Sequence, residues 1–147
     1  MSFKDKVIVV TGGAEGLGRT TALQCADVGA KVIVADVNLD GAEDTAKTIT
    51  NGGRIACAIA VDLAREGQVA CLIEQTEKTF GRLDILINCA GIFSIENLNR
   101  INSKKFDEMF AVNVKAPIII TRNFIKTMRL NRWGRIINIG SSSSYEG

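Results

Sequence analysis

The chain has no histidine, one proline, one tryptophan and one tyrosine among its 147 residues. Without histidine, a Ser-His-Asp or Cys-His nucleophile is excluded within the chain, and so is a Cys₂His₂ or His₃ zinc site. Charge of one sign is scarce: 18 Lys and Arg against 16 Asp and Glu leave +2, too little for a nucleic-acid surface. No apolar run reaches the length of a membrane span, and Met1-Ser2-Phe3-Lys4-Asp5 is not a signal peptide. No membrane partner is therefore expected, and the expected location is cytoplasmic. Linkers, low-complexity tracts and internal repeats are absent too. The four cysteines, Cys25, Cys57, Cys71 and Cys89, form no C-x-x-C pair and read as free thiols filling core space, with Cys89 alternatively near a ligand. What remains is 46% hydrophobic and 23% charged, enough for a sizeable core in one ordinary domain.

The most informative segment that is present is Thr11-Gly12-Gly13-Ala14-Glu15-Gly16-Leu17-Gly18. It follows the apolar run Val7-Ile8-Val9-Val10 and leads into a helix-like stretch ending near Val28. A buried strand, a glycine-rich turn and a helix N-terminus together make a cradle for a pyrophosphate. Gly12 suits the positive φ of a tight turn, Gly16 lets backbone approach a ligand, and Gly18 allows close packing of the helix. A glycine-rich loop with no ligand is the plainer alternative, and the rest of the chain has to decide between them.

Ile- and Val-rich runs at 7–10, 32–35, 55–61, 83–87 and 135–139 largely lack polar alternation, as expected of parallel strands covered on both faces. Helix-period stretches lie between them. Gly29, Gly52-Gly53, Gly81 and Gly134 mark the helix ends. A last long helix is expected over 103–130, with Ser103 as its N-cap. Repeated β-α-β units predict an α/β doubly wound parallel sheet of order 3-2-1-4-5, with the ligand crevice between strands 1 and 4. Residues 1–147 read as one dinucleotide-binding domain, incomplete at its C-terminus.

Asp36 ends the second strand about 20 residues beyond the glycine loop, where a carboxylate accepts both adenosine-ribose hydroxyls. The same carboxylate repels a 2′-phosphate, and Glu15 adds negative charge inside the loop, so NAD is expected and NADP disfavoured. With these residues in view, the chain resembles the short-chain dehydrogenases/reductases. The T-G-x-x-x-G-x-G spacing is met by Thr11, Gly12, Gly16 and Gly18. Val61-Asp62-Leu63 resembles the family's aspartate motif after the third strand, and Asn88-Cys89-Ala90-Gly91 its N-N-A-G motif, with cysteine at the second position. The resemblance implies a Rossmann-type fold. It also implies that Asp62 contacts the adenine amine, and that Asn88 contacts the cofactor and helps tie the central strands. The full cofactor-binding set is then Gly12, Glu15, Gly16, Leu17, Gly18, Asp36, Val37, Asp62, Leu63, Asn88, Ala90 and Gly91.

The resemblance also implies a catalytic half-set, Asn113 and Ser141. Asn113 matches the helix asparagine whose backbone carbonyl holds a relay water. Pro117 supplies a physical reason: an α-helix bonds the N–H of residue 117 to the carbonyl of 113, and proline has none. A kink that only shapes the helix is the alternative. Ser141 aligns with the serine that orients the substrate oxygen, although Ser142, Ser143 and Ser144 leave an offset open. The family's Y-x-x-x-K acid/base pair has no counterpart here, and Tyr145 is not assigned that role.

The expected function is that of an NAD-dependent oxidoreductase moving hydride between nicotinamide and a small alcohol or ketone. This chain would carry the cofactor-binding part and be inactive alone. A non-catalytic NAD-binding module and an interaction protein are the alternatives. A homo-oligomer is expected through an apolar patch at Ile118-Ile119-Ile120 and Phe124. The basic run from Arg122 to Arg135 is read as a solvated face rather than a nucleic-acid site.

Overall fold

A computed structural model describes residues 3–94, 97–100 and 102–141. Ser142, Ser143, Ser144 and Tyr145 lie outside the described residues. Strand β1 (Val7–Thr11) is followed by α1 (Gly16–Asp27), β2 (Lys31–Asp36), α2 (Leu39–Asn51), β3 (Ile55–Ala60), α3 (Glu66–Phe80) and β4 (Ile85–Asn88). A short 3₁₀ turn (Leu98–Arg100) then precedes α4 (Ser103–Phe110), a π-helical segment (Ala111–Lys115), α5 (Ala116–Leu130) and β5 (Arg135–Asn138). The strands form one parallel sheet of order β3-β2-β1-β4-β5, the order the sequence predicts.

Alternation within the apolar runs explains why both faces of the sheet are covered. In β1, Val7 and Val9 join Ile33, Leu86, Leu72, Ile120 and Phe124 beneath α3 and α5. Ile8 and Val10 face the other way, with Val32, Val34, Ile87, Ala22 and Ala46 beneath α1 and α2. Registers Val9↔Ile33 and Val9↔Leu86 align the three central strands so that each layer is continuous. Each fully buried aliphatic or aromatic side chain stabilises the fold by about 1.5–3 kcal/mol.

A carboxylate is enclosed beside this core. Asp84 is fully buried and its Oδ2 accepts from the Val7 N–H at 3.0 Å. Its Oδ1 faces the Arg82 guanidinium and Lys6 Nζ. Lys6 also sits 4.0 Å from the centre of the Trp133 ring. Two cations and a backbone donor thereby offset the desolvation of one buried charge.

Three expectations need correction. The helix expected over 103–130 is broken by the π-helical segment, in which the Ala116 N–H donates to the Ala111 carbonyl. Pro117 is the reason: with no N–H and a ring that crowds the preceding turn, it forces one extra residue into the helix before α5 begins. The N-cap is Asn102 rather than Ser103, its side chain accepting from the Lys104 N–H at 2.9 Å. The patch proposed at residues 118–120 and 124 is also different. Ile120 and Phe124 are buried in the core and Ile119 is half-buried, because they form the inward stripe of α5. The exposed apolar side chains there are Phe106, Phe110, Val114 and Ile118, with Phe106 and Phe110 stacked at 5.8 Å.

Candidate cofactor site

The glycine loop is fastened to the end of β2 by its own amides. The N–H groups of Gly12 and Gly13 donate to the Ala35 carbonyl at 2.8 and 3.3 Å. The Ala14 N–H donates to Asp36 Oδ2 at 3.0 Å, and the Asn38 N–H to Asp36 Oδ1 at 2.9 Å. From α2, the Thr45 hydroxyl donates to the Gly13 carbonyl at 3.0 Å. These bonds leave the next amides for another partner. Helix α1 begins at Gly16, and its first outward bond runs from the Arg19 N–H to the Glu15 carbonyl. The N–H groups of Gly16, Leu17 and Gly18 therefore belong to an open first turn, at the positive end of the helix dipole.

Two glycines are required by geometry. Gly12 has φ +70°, and a Cβ there would stand 2.7 Å from Ala90 Cα. Gly18 would place a Cβ 2.0 Å from the Gly12 carbonyl oxygen, so its close approach is to its own loop rather than to the sheet. Gly16, with φ +54°, has open space where its Cβ would be. That space belongs to the cleft.

Across the cleft, the Thr11 hydroxyl accepts from the N–H groups of Cys89 at 3.1 Å and Ala90 at 3.2 Å. One side chain thus ties the two loops together. Asn113 fixes the far end of the second loop through its side chain: Nδ2 donates to the Ile92 carbonyl at 2.7 Å and Oδ1 accepts from the Ile92 N–H at 2.9 Å. The sequence pointed to the Asn113 backbone and gave no sign of this side-chain clamp.

The cleft between these loops has a volume of about 630 Å³. Gly12, Glu15, Gly16, Leu17, Gly18, Asp36, Val37, Asp62, Leu63, Ala90 and Gly91 all line it. Asn88 does not: it is buried, and its Nδ2 donates instead to Asn138 Oδ1 at 2.8 Å, bridging β4 and β5. Buried Asn88 Oδ1 has no partner among the described residues. Asn113 and Ser141 are not in the lining either, and Ser141 is exposed just beyond β5. The lining adds residues that the sequence reading did not assign, among them Val61, Ala64, Ile92, Glu108 and Val112. Cys89 also lines the cleft while packing against the core beneath α1 and α2, and burial pushes its thiol pKa up.

Electrostatically the cleft is one-sided. Glu15, Asp36, Asp62 and Glu108 line it, and among the described residues no Lys or Arg does. Asp62 is partly neutralised, since its Oδ2 pairs with Arg65 Nε at 3.0 Å while Oδ1 accepts from the Ala64 N–H at 3.0 Å. Among the described residues no cluster could hold a metal ion, and no helix is long and apolar enough to cross a membrane.

Comparison with known proteins agrees with this arrangement. The family model described as short chain dehydrogenase matches residues 6–147. An uncharacterized oxidoreductase of Thermotoga maritima is 34% identical over the whole chain, which spans 58% of that protein. A sorbitol dehydrogenase of Cereibacter sphaeroides is 32% identical, with 57% of its length covered. The crystal structure of a metagenomic short-chain oxidoreductase in complex with NADP superposes with a TM-score of 0.91 at 30% identity, over 95% of this chain and 64% of that one. The chain therefore spans somewhat more than half the length of the relatives it matches. Its parallel sheet, its glycine loop and a family match running almost from end to end make it a member of the short-chain dehydrogenase family of oxidoreductases.

Proposed function

We propose that the cleft binds NAD in preference to NADP, and that the chain forms the cofactor-binding part of an enzyme acting on an alcohol or carbonyl substrate. The observation that carries the cofactor preference is the environment of Asp36. Its two oxygens are held by backbone N–H groups at 3.0 and 2.9 Å, which fix the carboxylate without cancelling its charge. Each oxygen keeps lone-pair capacity for a ribose hydroxyl. A 2′-phosphate would bring a charge of about −1.5 to −2 against Asp36 and Glu15, with no cationic side chain among the described lining residues to receive it. A structural neighbour is described in complex with NADP, so the preference proposed for this chain rests on its own side chains Asp36 and Glu15.

The cradle fits the pyrophosphate by its own geometry. The residues of the open first turn of α1 line the cleft, and a side chain at Gly16 would occupy the space left there. When bound, NAD supplies the nicotinamide ring that accepts or donates hydride. Ala90 and Gly91 leave space on the nicotinamide side. Pro117 has no N–H to give the Asn113 carbonyl, which supports its use as the ligand of a relay water. Ser141, following β5, is proposed to orient the substrate oxygen. The relative named as a sorbitol dehydrogenase supports a small hydroxylated substrate. No tyrosine in the 147 residues is followed four positions later by lysine, so proton exchange is assigned to no residue of this chain.

Calorimetric titration tests the cofactor preference. NAD should bind at least tenfold tighter than NADP. Asp36→Ala should weaken NAD by about tenfold, about 1.4 kcal/mol, and narrow the gap to NADP. Equal or tighter NADP binding by the unaltered chain overturns the reading.

A further inference from the structure

We infer that Glu108 reads the purine of the bound dinucleotide, its carboxylate accepting a hydrogen bond from the exocyclic amine of adenine. This inference rests on the reading of the cleft as a dinucleotide site. Glu108 and Val112, one turn apart, bring α4 and the π segment into the cleft wall that also contains Val61, Asp62 and Leu63. Lys115 Nζ, 2.7 Å from Oε1 of Glu66, shows that this helical region passes beside the start of α3, just after the loop that carries Asp62 and Leu63. Val61, Leu63 and Val112 offer apolar side chains against a flat ring, and two carboxylates offer acceptors at its edge.

The two carboxylates are not equivalent. Asp62 already accepts from Ala64 and is paired with Arg65. The Glu108 carboxylate has no donor among the described residues. A carboxylate only accepts, so it selects a ring edge that donates. Adenine presents an amine there. Hypoxanthine presents a carbonyl oxygen at the same atom, which a carboxylate repels, and the rejection is as informative as the attraction. General electrostatics predicts the reverse for the whole molecule: removing a negative group near an anionic dinucleotide should tighten binding. Weakening on removal therefore reports a specific hydrogen bond.

The test titrates the full 147-residue chain with NAD and with nicotinamide hypoxanthine dinucleotide, as the unaltered protein, Glu108→Leu and Glu108→Gln. The unaltered chain should prefer NAD by about tenfold. Glu108→Leu should weaken NAD about fivefold while leaving the hypoxanthine form unchanged or tighter. Glu108→Gln should hold NAD within about twofold and gain affinity for the hypoxanthine form, because its amide can also donate. An unchanged NAD-to-hypoxanthine ratio in Glu108→Leu overturns the inference while leaving the dinucleotide reading intact. Failure of the unaltered chain to bind either dinucleotide overturns both.

Discussion

A methyl group does not fit at position 18. An ideal Cβ there meets the Gly12 carbonyl oxygen at 2.0 Å and the Gly13 nitrogen at 3.2 Å. Both neighbours are backbone, so no side chain can swing aside. Gly12 is itself pinned, its N–H bonded to Ala35 and Ala90 packed behind it. Gly18→Ala is therefore expected to destabilise the fold by about 3 kcal/mol, because the whole loop must shift. Gly67 in α3 makes the contrast: nothing lies within 4 Å of a Cβ built there. Gly67→Ala should stabilise by about 0.5 kcal/mol, chiefly by restricting the unfolded chain. Urea unfolding of the two variants checks the pair, and equal midpoints would contradict the steric argument. The glycine loop was legible in the sequence because its requirements are local. The two roles of Asp36 were only half legible: the carboxylate faces the cleft, but the amides that hold it belong to residues Ala14 and Asn38.

The helical region after β4 shows how one residue type reorganises an element. Pro117 stands in the first turn of α5, where proline is well tolerated, and its missing N–H disturbs only the residues before it. The chain absorbs that disturbance as a π-helical segment, and Asn113 lies inside it. From there the Asn113 side chain reaches the Ile92 backbone with two hydrogen bonds of 2.7 and 2.9 Å. Asn113→Ala should cost about 1 kcal/mol, toward the low end for two bonds because the site is exposed. The sharper readout is local. Hydrogen exchange at the Ile92 amide should accelerate in Asn113→Ala while exchange in β1 and β4 stays protected, and unchanged exchange at Ile92 would remove the clamp from the account. The segment is also tied sideways. Hydrogen bonding and charge from Lys115 hold the Glu66 carboxyl below its usual range. That contribution is present above the ordinary carboxylate pKa and is lost as pH falls through the lowered one. Exposure and salt screening keep it small.

On the scale of the whole molecule, the layers were legible because the central strands β1, β2 and β4 bury both faces and so appear as apolar runs, while the edge strands β3 and β5 are more exposed. β1 is buried at all five positions. What escaped the sequence was non-local. Glu108 and Val112 line the cleft from an element that follows β4, far along the chain from the glycine loop, and the buried Asp84 is met by Lys6, Arg82 and the Val7 N–H together. The four cysteines sample these layers at separate points and give a test of the whole arrangement. Cys71 is exposed on α3, Cys25 is buried on the inner face of α1, and Cys57 and Cys89 are half-buried. Burial pushes the thiols of Cys25, Cys57 and Cys89 up. A raised thiol pKa leaves less thiolate near neutral pH, and the thiolate is the form that reacts. Alkylation followed by mass spectrometry should therefore modify Cys71 first and the other three slowly, with the differences vanishing in denaturant. NAD should slow Cys89 selectively, because it alone of the four lines the cleft. If Cys25 reacted as fast as Cys71 in native buffer, the α1–α2 layer would have to open on the labelling timescale, and a preformed cofactor cleft could not rest on that half of the sheet.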